Sequence, residues 1–190
     1  MGRDSIRTFI CIDIDQAIKS EIESLQGELR RLGAQVSWTK PSNIHLTIKF
    51  LGDVSMSRIE DVRGAVERAA AGRAAFEIEV GGAGCFPSLR NPRVLWVGLK
   101  SVPGALKELH AAIESELYSE GFPRETKKFS PHLTIGRVRS PHNATLVAEE
   151  LIERGIGPAR SLANEVIVMR SDLRPSGSIY TPIAITPLGS

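Results

Sequence analysis

Two cysteines in 190 residues are too few for a disulfide framework and too isolated for a cysteine-rich zinc site. Cys11 and Cys85 each stand in an apolar, strand-like stretch and read as buried thiols of a reducing compartment. Long apolar runs are also lacking: the longest block, Val94 to Leu99, is far too short to cross a membrane. The first twenty residues hold no basic stretch followed by an apolar core and a small-residue cleavage site. A cytoplasmic protein with no membrane partner is the expectation. Neither sign of charge dominates, with 24 Lys and Arg against 22 Asp and Glu. A net charge of +2 excludes nucleic-acid binding by sheer basicity over a broad face, so any RNA contact must be local. Low-complexity segments and long linkers are absent as well.

What is present is an ordinary globular composition, 42% hydrophobic and 24% charged, in a chain long enough to bury roughly 70% of its unfolded surface without staples. Ile6 to Ile14 reads as a strand. The following helix carries Ile18, Ile22, Leu25, Leu29 and Leu32 on one stripe and stops at Gly33. Strands over Val36 to Lys40 and Ile44 to Leu51 flank Pro41. A second helix starts at Ser57, capped by its hydroxyl with Glu60 reaching back. Phe76 to Cys85 and Arg93 to Leu99 form an antiparallel pair around a Pro-rich turn, residues 86–92. A third helix bears Leu106, Leu109, Ile113 and Leu117, and a strand from Phe129 to Val138 follows. A fourth helix uses Val147 and Leu151, then strands over Leu162 to Met169 and Ile179 to Ile185 flank a Pro175-Ser176-Gly177 turn. The order strand, helix, strand, strand, helix, strand thus occurs twice in rough form. It predicts an α+β fold of two pseudo-symmetric lobes, each an antiparallel sheet with helices, with an active-site cleft between them and residues 1–190 forming one bilobal domain.

The chemistry is carried by a repeat. His-Leu-Thr-Ile occurs at 45–48 and again at 132–135, 87 residues apart and once per expected lobe. On a strand, side chains alternate, so His45, Thr47 and Lys49 are expected on one face, with Leu46, Ile48 and Phe50 facing the core. His132 and Thr134 share a face by the same rule. Displacement at phosphorus needs a base for the attacking oxygen and an acid for the departing one, on opposite sides. Two imidazoles of ordinary pKa, about 6.5, can supply one neutral and one protonated group near neutral pH. The Thr47 and Thr134 hydroxyls can donate to non-bridging oxygens as charge builds there. His110, on the third helix, and His142, after Pro141, read as exposed or capping. The basic clusters Arg90 with Arg93, and Arg124 with Lys127 and Lys128, stand near these segments.

At these residues the chain resembles the two-histidine phosphoesterase superfamily, and within it the RNA 2′,3′-cyclic phosphodiesterases once called 2′-5′ RNA ligases. The likeness extends to Arg7-Thr8-Phe9-Ile10, to Trp38, Pro41 and Asn43, and to Phe50-Leu51-Gly52. It continues through Phe86-Pro87, residues 92–98, Ser130-Pro131 and Gly136-Arg137. The resemblance implies hydrolysis of RNA 2′,3′-cyclic phosphate ends to a 2′-phosphomonoester, with neither metal nor other cofactor. It also implies His45 as proton donor and His132 as proton acceptor, with roles exchanged in the reverse direction of a 2′-5′ ligation. Partners are RNA ends or cyclic nucleotides, met by a monomer. Arg137, five residues after His132, should face away from the cleft under strict alternation, unless Gly136 marks a bulge that turns it toward the phosphate. Lys49 is the corresponding cation of the first lobe. Phe9, Trp38 and Phe86 are candidates to stack on a base, although a strand aromatic is by default core. Two other readings stay open: a noncatalytic nucleotide-binding module of the same superfamily, and a metallohydrolase. The second lacks a further His, Asp or Glu at i+2 or i+4 from either histidine.

Overall fold

Residues 5–175 and 177–189 are described by the computed structural model. Ser176, in the expected turn, lies outside them. The elements in chain order are β1 (Ser5–Asp13), α1 (Gln16–Arg30), β2 (Val36–Trp38), β3 (His45–Ser55), α2 (Ile59–Ala70), β4 (Phe76–Ser88), β5 (Asn91–Leu99) and α3 (Gly104–Ser119). Then come β6 (Leu133–Val138), α4 (Ala144–Arg154), β7 (Ala159–Ala163), β8 (Glu165–Asp172) and β9 (Ile179–Pro187). The strands form one curled antiparallel sheet in the order β7-β4-β5-β6-β3-β1-β8-β9, with β2 added beside β6. Two half-sheets, β9-β8-β1-β3 and β6-β5-β4-β7, therefore meet at a seam between β3 and β6. This is the expected α+β, two-lobed build, with the lobes joined through a continuous sheet.

Each helix buries the stripe its spacing foretold. Ile18, Ile22, Leu25 and Leu29 of α1 are buried, as are Leu106, Leu109, Ile113 and Leu117 of α3. Removing any one of the fully buried leucines to Ala would cost about 2–5 kcal/mol. Helices pack in two pairs, α1 with α4 and α2 with α3, with α4 lying on β4 and β5 and α2 on β8 and β9. The lobes are interleaved in sequence. β2 pairs with β6 of the other half, and the C-terminal β8 and β9 return to extend the half begun by β1 and β3.

Several sequence boundaries change for identifiable reasons. The single strand expected over Leu162 to Met169 is two, because the chain leaves β4's side of the sheet at Ala163 and pairs with β1 from Ile167. Asn164 sits at that crossing, its carbonyl accepting from Leu188 N–H at 2.8 Å. The capping box at Ser57 does not form. A 3₁₀ turn over Met56–Arg58 leads into α2, and the Ser57 hydroxyl meets that of Ser55 at 3.0 Å instead. Cys11 is buried and Cys85 half-buried, and burial raises both thiols, Cys11 the more strongly.

Candidate active site

The seam between the half-sheets sets the geometry. Leu46 of β3 pairs with Leu133 of β6, antiparallel, and both leucines are fully buried beneath the sheet. That register sets His45 across from Thr134 and Thr47 across from His132, all four on the face opposite the leucines. The two copies of His-Leu-Thr-Ile are thus related by an approximate twofold axis through the Leu46–Leu133 pair. Directly opposed residues in such a ladder have Cβ atoms about 4.5–5.5 Å apart, and diagonal ones about 7–8 Å. The histidines occupy one diagonal and the threonines the other, so a small tetrahedral group can sit between the imidazoles while meeting both hydroxyls.

A cavity of about 310 Å³ is lined by His45, Thr47, Thr134, Arg137, Arg7 and Tyr180, among others. His132 borders a second cavity, of about 640 Å³, and Thr47 and Phe50 line both, so the cleft is continuous across the seam. The imidazoles are held from behind. His132 donates from Nδ1 to the Ser130 carbonyl at 2.7 Å, which leaves Nε2 as the free nitrogen. His45 bonds the backbone of Asn43, likewise two residues before it. Phe9 stacks on the His45 ring at 4.7 Å and 25°, with Tyr180 edge-on at 5.3 Å. Phe86 meets His132 edge-on at 5.0 Å. Burial lowers His45 to about 4, against the opposing pull of the Asn43 bond and the Asp13 carboxylate. The His45 imidazole of the free protein is therefore neutral at pH 7.

Bulges decide which cations reach the cleft. In the β5/β6 ladder, Leu95 faces Gly136 and Trp96 faces Thr134, so Ile135 has no partner and the strand turns there. The freed Ile135 carbonyl accepts from Thr39 N–H at 2.9 Å and from the buried Gln26 Nε2 at 2.8 Å. Beyond this bulge, Arg137 lines the same cavity as His45 and both threonines. Gly136 is required by close approach, since a Cβ there would lie 2.7 Å from Val36 Cγ1.

The same device overturns the expectation for Lys49. Thr47 pairs with Cys11 and Lys49 with Ile10, so Ile48 is the extra residue and alternation is reversed after it. Lys49 turns beneath the sheet, where its ammonium pairs with Glu114 of α3 and donates to the Pro123 carbonyl at 2.9 Å. Phe50, expected in the core, emerges on the cleft face with 59% of its surface exposed. Lys49 therefore does not stand with Arg137 as a phosphate contact. Because both partners of its ion pair are buried, Lys49→Ala strands a carboxylate. It is expected to lower stability by about 3–5 kcal/mol in denaturant titration, while turnover per folded molecule is retained.

The three aromatic candidates part ways. Phe9 is 2% exposed and committed to His45. Trp38 is half-buried beside Lys40 and Arg139 in a side cavity that joins the first at Thr39, Asn43 and Arg137. Phe86 lies against His132 and Trp96. His142 is exposed, but His110 is neither exposed nor capping, being stacked on Phe129 at 4.0 Å. The sequence reading missed Tyr180, Phe50 and Arg7 as cleft residues. The strand period around Phe9 could have indicated Arg7, whereas Tyr180 depends on a pairing nearly the whole chain apart.

The family model described as LigT like Phosphoesterase matches residues 12–96 and again 97–180, each match holding one His-Leu-Thr-Ile. The chain belongs to the LigT-like phosphoesterase family. It is similar to an RNA 2′,3′-cyclic phosphodiesterase of Methanothermobacter thermautotrophicus, 35% identical over 95% of this chain and 97% of the relative. A second protein of that name, from Thermotoga maritima, is 33% identical over 92% and 91%. The LigT-like fold is shared with a crystal structure from Thermus thermophilus, with a TM-score of 0.80 at 21% identity, covering 97% of this chain and 100% of that one. It is shared also with E. coli LigT complexed with 3′-AMP, with a TM-score of 0.78 at 22% identity, covering 98% and 99%.

Proposed function

We propose that this chain hydrolyses the 2′,3′-cyclic phosphate at an RNA end to a 2′-phosphomonoester through the His45–His132 pair. The observation that carries the reading is the Leu46–Leu133 register, which opposes two imidazoles across a site for one tetrahedral group. The names of the relatives at 35% and 33% identity support the same substrate class. Water attacks phosphorus as His132 takes its proton. The bond from phosphorus to the 3′-oxygen breaks as His45 gives that oxygen a proton, leaving a 3′-hydroxyl and a 2′-phosphate. Thr47, Thr134 and Arg137 donate to the non-bridging oxygens, where charge grows in the transition state. A 5′-hydroxyl in the place of water would give a 2′-5′ linkage by the same proton transfers, and the two roles exchange when that linkage is cleaved back to the cyclic phosphate.

The chemistry needs no metal on this account. Among the described residues no group of three or more His, Cys, Asp or Glu converges as a ligand set. The described helices include none long and apolar enough to cross a membrane. On this reading the protein is a cytoplasmic monomer acting on RNA ends or cyclic nucleotides. The deciding assay incubates the protein with an oligonucleotide ending in a 2′,3′-cyclic phosphate, in excess chelator, and identifies the product. A 2′-phosphomonoester is expected. Loss of activity in chelator would point to the metallohydrolase, and binding without turnover to the noncatalytic nucleotide-binding module.

A further inference from the structure

Gln26 is out of character with its surroundings. It stands on the core stripe of α1, with Ile22, Leu25 and Leu29, and is fully buried. An amide buried among aliphatic side chains is costly unless it is hydrogen-bonded. Gln26 bonds at one end only: Nε2 donates to the Thr39 carbonyl at 2.9 Å and to the Ile135 carbonyl at 2.8 Å. Its Oε1, also buried, meets no donor among the described residues. Turned over, the amide would set its oxygen against two carbonyl oxygens, so it has one orientation. The stranded Oε1 is a standing cost, and what it secures is the grip of Nε2. Both carbonyls belong to the cleft. Ile135 is the extra residue of the β6 bulge, between Thr134 and the turned Arg137, and Thr39 lines the cavity that these share with His45.

The other half of the molecule repeats the arrangement. Glu114 lies ten residues into α3 as Gln26 lies ten into α1, and it too is buried. It accepts from the Glu125 N–H at 3.1 Å, ahead of the second motif as Thr39 is ahead of the first, and it takes the ammonium of Lys49, beside the bulge at Ile48. Each helix thus ties the approach to one motif to the bulge in the other. The residue two past each bulge emerges in the cleft, Phe50 in the first and Arg137 in the second. We infer that Gln26 is a positioning residue: it holds the β6 bulge in the conformation that aims Arg137 at the phosphate. The inference rests on the proposed cyclic-phosphate hydrolysis, in which Arg137 donates to the non-bridging oxygens. Thr39 N–H also bonds the Ile135 carbonyl, at 2.9 Å, but Thr39 belongs to a connecting segment, whereas α1 is a helix packed on the core. Support from such a rigid element keeps a site's side chains in register with the reacting group.

The test is a double-mutant cycle on uridine 2′,3′-cyclic phosphate. Arg137→Ala should lower kcat/KM on the order of 100-fold by removing the donor. Gln26→Met, which fills the space without a hydrogen bond, should lower it about tenfold by releasing that donor from its aim. The double variant should fall no more than about twofold below Arg137→Ala alone, because an arginine that is absent cannot be misdirected. A merely structural Gln26 would lower the melting temperature and leave the rate per folded molecule unchanged. Gln26→Glu keeps the test open should the Met variant not fold. Burial between two carbonyls holds that carboxyl protonated, so it still donates one O–H, and its loss should be only a few-fold, again confined to chains that carry Arg137. A folded Gln26 variant with the parent's rate, or a loss that persists in full once Arg137 is gone, overturns the inference. The same cycle read as the Kd for inorganic phosphate keeps the two readings apart. A parent that hydrolyses nothing ends the hydrolysis reading. Phosphate binding weakened by Gln26→Met only where Arg137 is present then still supports the positioning role, and unchanged binding overturns it.

Discussion

Alanine at His45 or at His132 is expected to cut turnover by roughly 100- to 10,000-fold, the span that a positioned acid or base contributes, while binding of a cyclic nucleotide changes only a few-fold. The expectation follows from the seam. Each imidazole stands on one side of the group between them, and the residues opposed to them across the ladder are threonines. The double variant should be little worse than the single ones, because the two act on a single displacement and their effects do not add. Folding is a lesser risk at His132, which lies just before β6 and bonds only to the local Ser130 carbonyl. At His45 the stacked Phe9 loses its neighbour, so thermal melting of the variant belongs beside the rate measurement. Parent-like turnover in either folded variant would end the two-histidine mechanism.

Much of this site was legible because it rests on local rules. Strand alternation put His and Thr of each motif on one face and the leucines beneath, and the 87-residue spacing announced two matching lobes. The helices were equally plain, since α1 and α3 bury the residues that their 3.6-residue period selects. Alternation failed where an unpaired residue enters a ladder. Ile48 reverses the faces of Lys49 and Phe50, and Ile135 brings Arg137 in. Gly136 flagged the second bulge, but no glycine or proline marks the first, because Ile48 itself supplies the extra residue. What holds that bulge is remote: Glu114, 65 residues on, takes the Lys49 ammonium from beneath. The interleaving of the lobes was hidden for the same reason. The pairings of β2 with β6 and of β8 with β1 are long-range choices, invisible to a reading of neighbouring residues. Tyr180 reaches His45 only through the last of them.

The affinity of the cleft for a phosphodiester is expected to climb steeply as pH falls below neutrality. The sequence suggests two imidazoles of ordinary pKa, but burial holds His45 near 4, so the proposed acid is neutral at pH 7 in the free protein. An anion about 4 Å from the ring, at an effective dielectric constant of about 20, favours the imidazolium by about 4 kcal/mol, or roughly three pKa units. That is enough to bring His45 from about 4 to the neighbourhood of 7, so the substrate charges its own acid. Linkage is reciprocal: if the anion raises the pKa, the proton must strengthen anion binding by the same factor. In His132→Ala, which binds without turnover, the Kd for uridine 2′,3′-cyclic phosphate should therefore fall with a slope approaching about tenfold per pH unit, roughly fiftyfold in all between pH 7 and 5. The base and the ester keep their charge over that range, so the slope belongs to the protein. Adding His45→Gln should flatten it. The free protein moves the other way: its unfolded chain takes up the His45 proton near 6.5 and the folded one only near 4, so stability declines as pH drops through that window. Titrations should therefore stay above about pH 5. An affinity that is flat from pH 8 to 5 in His132→Ala, or a slope that survives His45→Gln, would remove His45 as the substrate-charged acid and leave the proton donor to be sought elsewhere in the cleft.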